Sequence, residues 1–275
     1  MYISMKDWKA YINRLSKLNR TAAELIQRYI QQHGFGNREA LIEYSYAVVQ
    51  KYGQGSAALS AAMYDTVAEM SGKFYPPAEM AAIADYGEVA KTVNGVLKTS
   101  QNVEEMAGAV SRLVKQAGAD TMVQNAYRDR PARKYGKKRN TGAQIAWVPM
   151  GDTCAFCLSL ASLGWQNQTK GGADNHAEHI HANCDCTYAV RFDESSGVEG
   201  YDPEEYRKQI NEALEEQGLD DFQSYYHGQM NSDVINAVRR QNYARNKEEI
   251  NAQKRDAYEK RQELNSSAAE ESDVS

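Results

Sequence analysis

Four cysteines stand in two tight pairs, Cys154-Ala-Phe-Cys157 and Cys184-Asp-Cys186, and histidines 176, 179 and 181 crowd the approach to the second pair. Thiolate and imidazole are the donors zinc favours, and a Cys-x-x-Cys turn presents two sulfurs to one ion. A tetrahedral centre takes four ligands. Cys154, Cys157, His181 and Cys186 supply them, with Cys184 as the alternative to Cys186, because an extended Cys-x-Cys points both side chains to one face. A single cysteine is most often a small buried hydrophobe, but two pairs beside a histidine cluster argue for metal. Protein ligands that fill every position make a structural zinc, whereas a catalytic zinc keeps a place for water. His176 and His179 are then loop residues or second-layer partners of the ligands.

Other chemistries fit less well. His176-Ala-Glu178 matches half of a zinc deaminase signature, yet the deaminase order places Pro-Cys-x-x-Cys after it, and here Cys-x-x-Cys comes first. No Ser/His/Asp order or His-Glu-x-x-His helix supports a protease, and Cys157 beside Cys154 compromises the latter as a nucleophile. A zinc-dependent nuclease would need an open metal position near Asp174, His176 or His179. The sequence therefore favours a protein that is not an enzyme.

Two elements must position the cysteines. The β-favouring run Ala143-Gln-Ile-Ala-Trp-Val-Pro149 leads into the first pair, and the alternating run from Thr187 to Phe192 follows the second. Both read as short strands, adjacent in the fold, that the metal would pin together. Residues 143–192 are thus expected to form a small zinc-knuckle module.

Ahead of it lies a helical domain, residues 1–127. Trp8, Tyr11, Ile12, Leu15, Leu18, Ala22, Leu25, Ile26 and Tyr29 keep the spacing of one helical face, from about Asp7 to Gln32. Further helices are predicted from about Arg38 to Gln50 and from Ser56 to Met70, split by Gly53-Gln-Gly55. Another is expected from Pro76-Pro77 to Lys98, and a last one from the Asn102/Glu105 capping pattern to Tyr127. Residues 128–142 form a basic linker, extended because Pro131 and Gly136 discourage helix, whose stretch 128–139 suits non-specific contact with DNA phosphates.

The remainder, 193–275, is an acidic helical tail with helices expected from about Pro203 to Gln217 and Ser232 to Leu264 and a disordered end. Residues 1–192 hold 22 Lys and Arg against 17 Asp and Glu, while 193–275 hold 10 against 20. The fold class is therefore α+β and mainly α: a helical N-terminal body, a small zinc-stabilised β-containing module, and a charged helical tail. No run approaches the roughly 18 apolar residues of a membrane span. The start of the chain lacks the apolar core and cleavage site of a secretory leader, so synthesis and first use in a cytoplasm are expected.

The strand, the Cys-x-x-Cys turn, Leu158-Ser-Leu-Ala-Ser-Leu-Gly-Trp165, then His181-Ala-Asn-Cys184-Asp-Cys186 and a strand resemble the C-terminal module of Mu F-type phage head morphogenesis proteins. In that family the second element commonly reads His-Pro-Asn-Cys-Arg-Cys; this chain has Ala182 for the proline and Asp185 for the arginine. Ligand types are preserved, while a stiffening ring is lost and one charge is reversed. The resemblance implies a minor capsid protein of a tailed phage or prophage, assembled in the host cytoplasm and carried in the virion head. It also implies partners among the portal, major capsid and scaffolding proteins, a role in head morphogenesis or DNA ejection, and no reaction.

Overall fold

The computed structural model describes residues 2–131, 133–134, 137–138, 142–149, 155–169, 186–219, 225–226 and 229–230. Between 233 and 255 it describes 233, 236–238, 240, 241, 243, 244, 247, 248, 251, 252 and 255. It is mainly helical with a small β component. The chain divides into two compact units, Met1–Val148 with Leu163–Pro203, and Pro149–Ser162 with Glu204–Ser275.

The first unit is built on four helices: α1 (Met5–His33), α2 (Arg38–Met70), α3 (Tyr86–Thr99) and α4 (Val103–Arg128). Ser4 caps α1 by accepting from the Asp7 amide; of the predicted stripe Trp8, Tyr11, Ile12, Leu15, Ala22 and Ile26 are buried, joined by Ile30, while Leu18, Leu25 and Tyr29 are half-buried. Gly34, at φ 66°, ends the helix in a conformation that costs glycine little. Helix α4 sits at the centre, touching α1, α2 and α3, and buries residues around most of its circumference, among them Met106, Val110, Val114, Met122 and Ala126. Each buried Met or Val among them contributes about 1.5–3 kcal/mol on transfer from water.

Two sequence expectations fail here. The predicted break at Gly53-Gln54-Gly55 does not occur, and α2 runs unbroken from Arg38 to Met70. The glycine serves packing: a Cβ at Gly53 would lie 2.9 Å from Ile83 Cγ2 and 3.6 Å from Ala117. Nor does a helix start at Pro76-Pro77. Residues 72–85 form a non-helical strap, since each proline disfavours α backbone in the residue before it, and α3 begins only after Asp85. There the reciprocal capping box forms, Asp85 accepting from the Glu88 amide and Glu88 from the Asp85 amide.

The box expected at Asn102 forms by half. Asn102 accepts from the amides of Glu104 and Glu105, while Glu105 turns to the Ser100 hydroxyl.

Helical side chains hold the strap. The Asp65 carboxylate accepts from the Ala78 amide, Asn125 clasps both the N–H and the C=O of Glu79, and Thr121 accepts from the Ala81 amide. Gln50 donates to the Ala84 carbonyl. Backbone groups that a neighbouring strand would satisfy are satisfied here by side chains of α2 and α4.

Strand β1 (Tyr2–Ile3) pairs in parallel with β6 (Gly197–Val198), and β2 (Arg133–Lys134) pairs with β3 (Lys137–Lys138) as a small hairpin inside the basic stretch. Strands β4 (Gln144–Val148) and β5 (Thr187–Arg191) form the expected antiparallel pair, in register from Gln144↔Arg191 to Val148↔Thr187. Ile145 also exchanges two backbone hydrogen bonds with Gln166, at 2.9 and 2.7 Å. This ladder packs on α4 and α2, and Phe192 beyond it is fully buried against Tyr64 and Tyr75.

In the second unit α5 (Ala155–Ser162) and α6 (Pro203–Gln217) meet through Leu158, Ala213 and Leu214. Ala237 and Val238, from the helical residues that follow, complete this core. Part of the tail helix expected from Ser232 to Leu264 thus packs within the chain, reinforced where Arg240 meets Glu216 at 2.6 Å. A further short antiparallel pair, β7 (Tyr225–Tyr226) and β8 (Gln229–Met230), lies between them in sequence.

Candidate metal centre

Among the five candidate ligands, Cys157 and Cys186 are described, whereas Cys154, His181 and Cys184 lie outside the described residues, as do His176 and His179. Cys157 lies in the first turn of α5 and is 1% exposed; Cys186, 7% exposed, directly precedes β5. They belong to different units. Among the described residues no group of three or more His, Cys, Asp or Glu side chains gathers around one point.

The ladder register says where the two cysteine-bearing stretches begin. Val148 pairs with Thr187, so the chain that continues to Cys154 and the chain that arrives from His181 meet the ladder at the same end. The donor chemistry also fits a zinc ion.

Cys186 also borders a cavity of about 20 Å³, together with Leu15 and Asn19 from α1, Ser56 from α2, Gly118 from α4 and Trp147 from β4. That volume holds one water molecule, far from the several hundred Å³ of a small-molecule site.

The basic stretch begins differently from its expectation. Arg128 is the last residue of α4, and its guanidinium is engaged by Asp129 and by the carbonyls of Pro76 and Pro77. Arg130 lies over the Tyr127 ring, 3.9 Å from its centre. Residue 132 and residues 139–141 lie outside the described residues, as do the side chains of β2 and β3.

Sequence reasoning missed two polar positions, Asp120 on α4 and Tyr64 on α2. Asp120 is largely buried, which pushes its carboxyl up to about 6, opposed by a hydrogen bond from Gln116 and assisted by the Glu88 charge. Its identity as one Asp on a helix gave no signal. Tyr64, fully buried, has its phenol raised by burial first and then by the charge and hydrogen bond of Asp129. Neither lines a cleft among the described residues, so both read as parts of the framework.

The first unit is a mainly helical body that carries a two-stranded antiparallel ladder. The chain belongs to the VG15 protein family, whose model matches residues 2–213 and so spans the four helices, the ladder and α6 up to Ala213. It is therefore a phage-encoded protein. No curated protein and no solved structure matches the chain. No helix among the described residues is long and apolar enough to cross a membrane.

Proposed function

We propose that this chain is a minor head protein of a tailed phage or prophage, bound to the portal or capsid and assisting head morphogenesis or DNA ejection. The supporting observation is the β4–β5 register. It starts both cysteine-bearing stretches of the Mu F-like motif from one ladder end, in a chain whose family is viral. On this reading a structural zinc is held by Cys154, Cys157, His181 and either Cys184 or Cys186. It ties the chain beyond Val148 to the chain before Thr187 and performs no reaction. Partners are the portal protein and the major capsid or scaffolding protein, with the basic stretch 128–139, beyond the committed Arg128, contacting packaged DNA.

The test is quantitative mass spectrometry of purified virions together with the zinc content of the isolated protein. A few copies per particle and about one zinc per chain are expected for a tetrahedral structural site. Absence of the chain from mature particles would replace this reading with an assembly factor that leaves the head. Cleavage of plasmid DNA or of the major capsid protein by the zinc-loaded chain would replace it with an enzyme.

A further inference from the structure

Residues 72–85 combine two properties that rarely coincide: the backbone is fixed, and its apolar side chains face water. Phe74 is 93% exposed and Met80 49%, with Pro76, Pro77 and Ala82 also exposed. A mobile loop with such residues would be unremarkable, since single exposed hydrophobics are common on protein surfaces. This segment is not free to move. Six hydrogen bonds from Arg128, Asp65, Asn125 and Thr121 hold residues 76 to 81, and Tyr75 is wedged against Phe192 with ring centres 4.2 Å apart. Phe74 is thus presented one residue from a fixed aromatic anchor.

The exposed charges flanking it in sequence are one-sided. Between residues 69 and 88 the exposed charged side chains are Glu69, Glu79, Asp85 and Glu88 against Lys73 alone. Glu79 lies 3.9 Å from Arg128, which is already committed to Asp129, so most of its charge faces solvent.

We infer that the strap is a preformed docking element whose partner is a protein surface with an apolar pocket for Phe74, ringed by lysine and arginine. Preorganisation favours this: binding an already ordered segment forfeits little of the conformational freedom that a flexible peptide loses. An aromatic ring entering a pocket is the usual centre of such an interface, and complementary charge at the rim selects the partner and speeds encounter. The inference rests on the minor-head reading only for where the partner is sought, among the proteins of the same head.

The experiment places photoreactive benzoylphenylalanine at position 74 of the full chain in cells producing the phage, irradiates them, and identifies the crosslinked peptide. The expected product joins position 74 to a head protein at an apolar segment flanked by basic residues. Adding Glu69→Lys and Glu79→Lys should lower its yield at least fivefold, because the rim charges then repel. Phe74→Asp, at a site too exposed to disturb folding, should cut co-assembly with that protein at least tenfold. Crosslinks to a second copy of this chain, crosslinks insensitive to the charge reversals, or no crosslink from a chain that is packaged normally would each overturn the inference and leave the minor-head reading intact. A chain absent from virions that still crosslinks as described would sink that reading and keep the inference.

Discussion

Arg128 and Asp129 are sequence neighbours joined by two parallel hydrogen bonds, Nε to Oδ1 and Nη2 to Oδ2, both 2.8 Å. The guanidinium spends its remaining donors on the carbonyls of Pro77 and Pro76, each at 2.9 Å, while Asp129 also accepts from the Tyr64 hydroxyl at 2.9 Å. One ion pair thereby ties the end of α4 to the strap and to the C-terminal part of α2. The Asp129 side chain is only 5% exposed.

Removing that carboxylate leaves a phenol and a guanidinium without their acceptor. Asp129→Ala should destabilise the protein by about 3 kcal/mol, the usual cost of breaking a mostly buried charged pair from one side. Urea unfolding at neutral pH measures it. A loss below about 0.5 kcal/mol would mean that the network is ornamental. Tyr64→Phe, which removes only one hydrogen bond, should cost about 1 kcal/mol.

Two glycines at ordinary helical backbone angles should respond in opposite directions. A Cβ at Gly118 of α4 would sit 2.5 Å from Ser56 Oγ, 2.9 Å from Ser60 Oγ and 3.2 Å from the Ser56 carbonyl on α2. Gly118→Ala should therefore push the two helices apart and cost about 1–3 kcal/mol. A Cβ at Gly95 of α3 meets nothing within 4 Å, so Gly95→Ala should gain about 0.5–1 kcal/mol from helix propensity. Thermal melts of the two variants should shift to opposite sides of the parent; a shared direction would contradict the packing of α2 on α4.

Asp120 supplies a pH signature. Burial is the main cause lifting its carboxyl to about 6, above the value near 3.8 of an exposed aspartate. A raised acid favours the protonated form in the folded state. Its contribution is complete at low pH, below the unfolded value, and is lost as pH rises through about 6. The shift corresponds to a penalty on the order of 1–3 kcal/mol at pH 7.5. Asp120→Asn, which keeps the shape and drops the charge, should raise the melting temperature at pH 7.5 and change little at pH 4. An equal effect at both pH values would show that charge is not the cause.

Local signals were readable wherever one element decides its own fate. The α1 stripe, the β4–β5 pair and the Pro203–Gln217 helix match their sequence expectations closely. What failed depended on distant partners. Gly53 looks like a helix break until Ile83 and Ala117 are seen to occupy the space beside it. The Pro76-Pro77 segment looks like a helix start because proline suits a first turn, whereas its conformation is set by Asn125, Thr121 and Asp65 tens of residues away. The parallel pairing of Tyr2–Ile3 with Gly197–Val198 joins opposite ends of the first unit and leaves no periodic trace in either two-residue strand. For the candidate centre, sequence spacing named the cysteines and the ladder register agrees that their stretches start together. Cys157, however, lies in a helix rather than a tight turn.

That helical position sharpens the metal prediction. Cys157→Ser keeps a small buried side chain in the first turn of α5 but removes the soft donor, so zinc content should fall from about one per chain to a small fraction of that. A purely structural thiol would behave otherwise, with zinc unchanged and stability reduced by the modest packing loss of a sulfur-to-oxygen exchange. Elemental analysis after gel filtration separates the two, and retention of full zinc by the variant would strike Cys157 from the ligand set. Parallel Cys184→Ser and Cys186→Ser variants decide the fourth ligand. Whichever of them loses the ion completes the coordination, and the other keeps it.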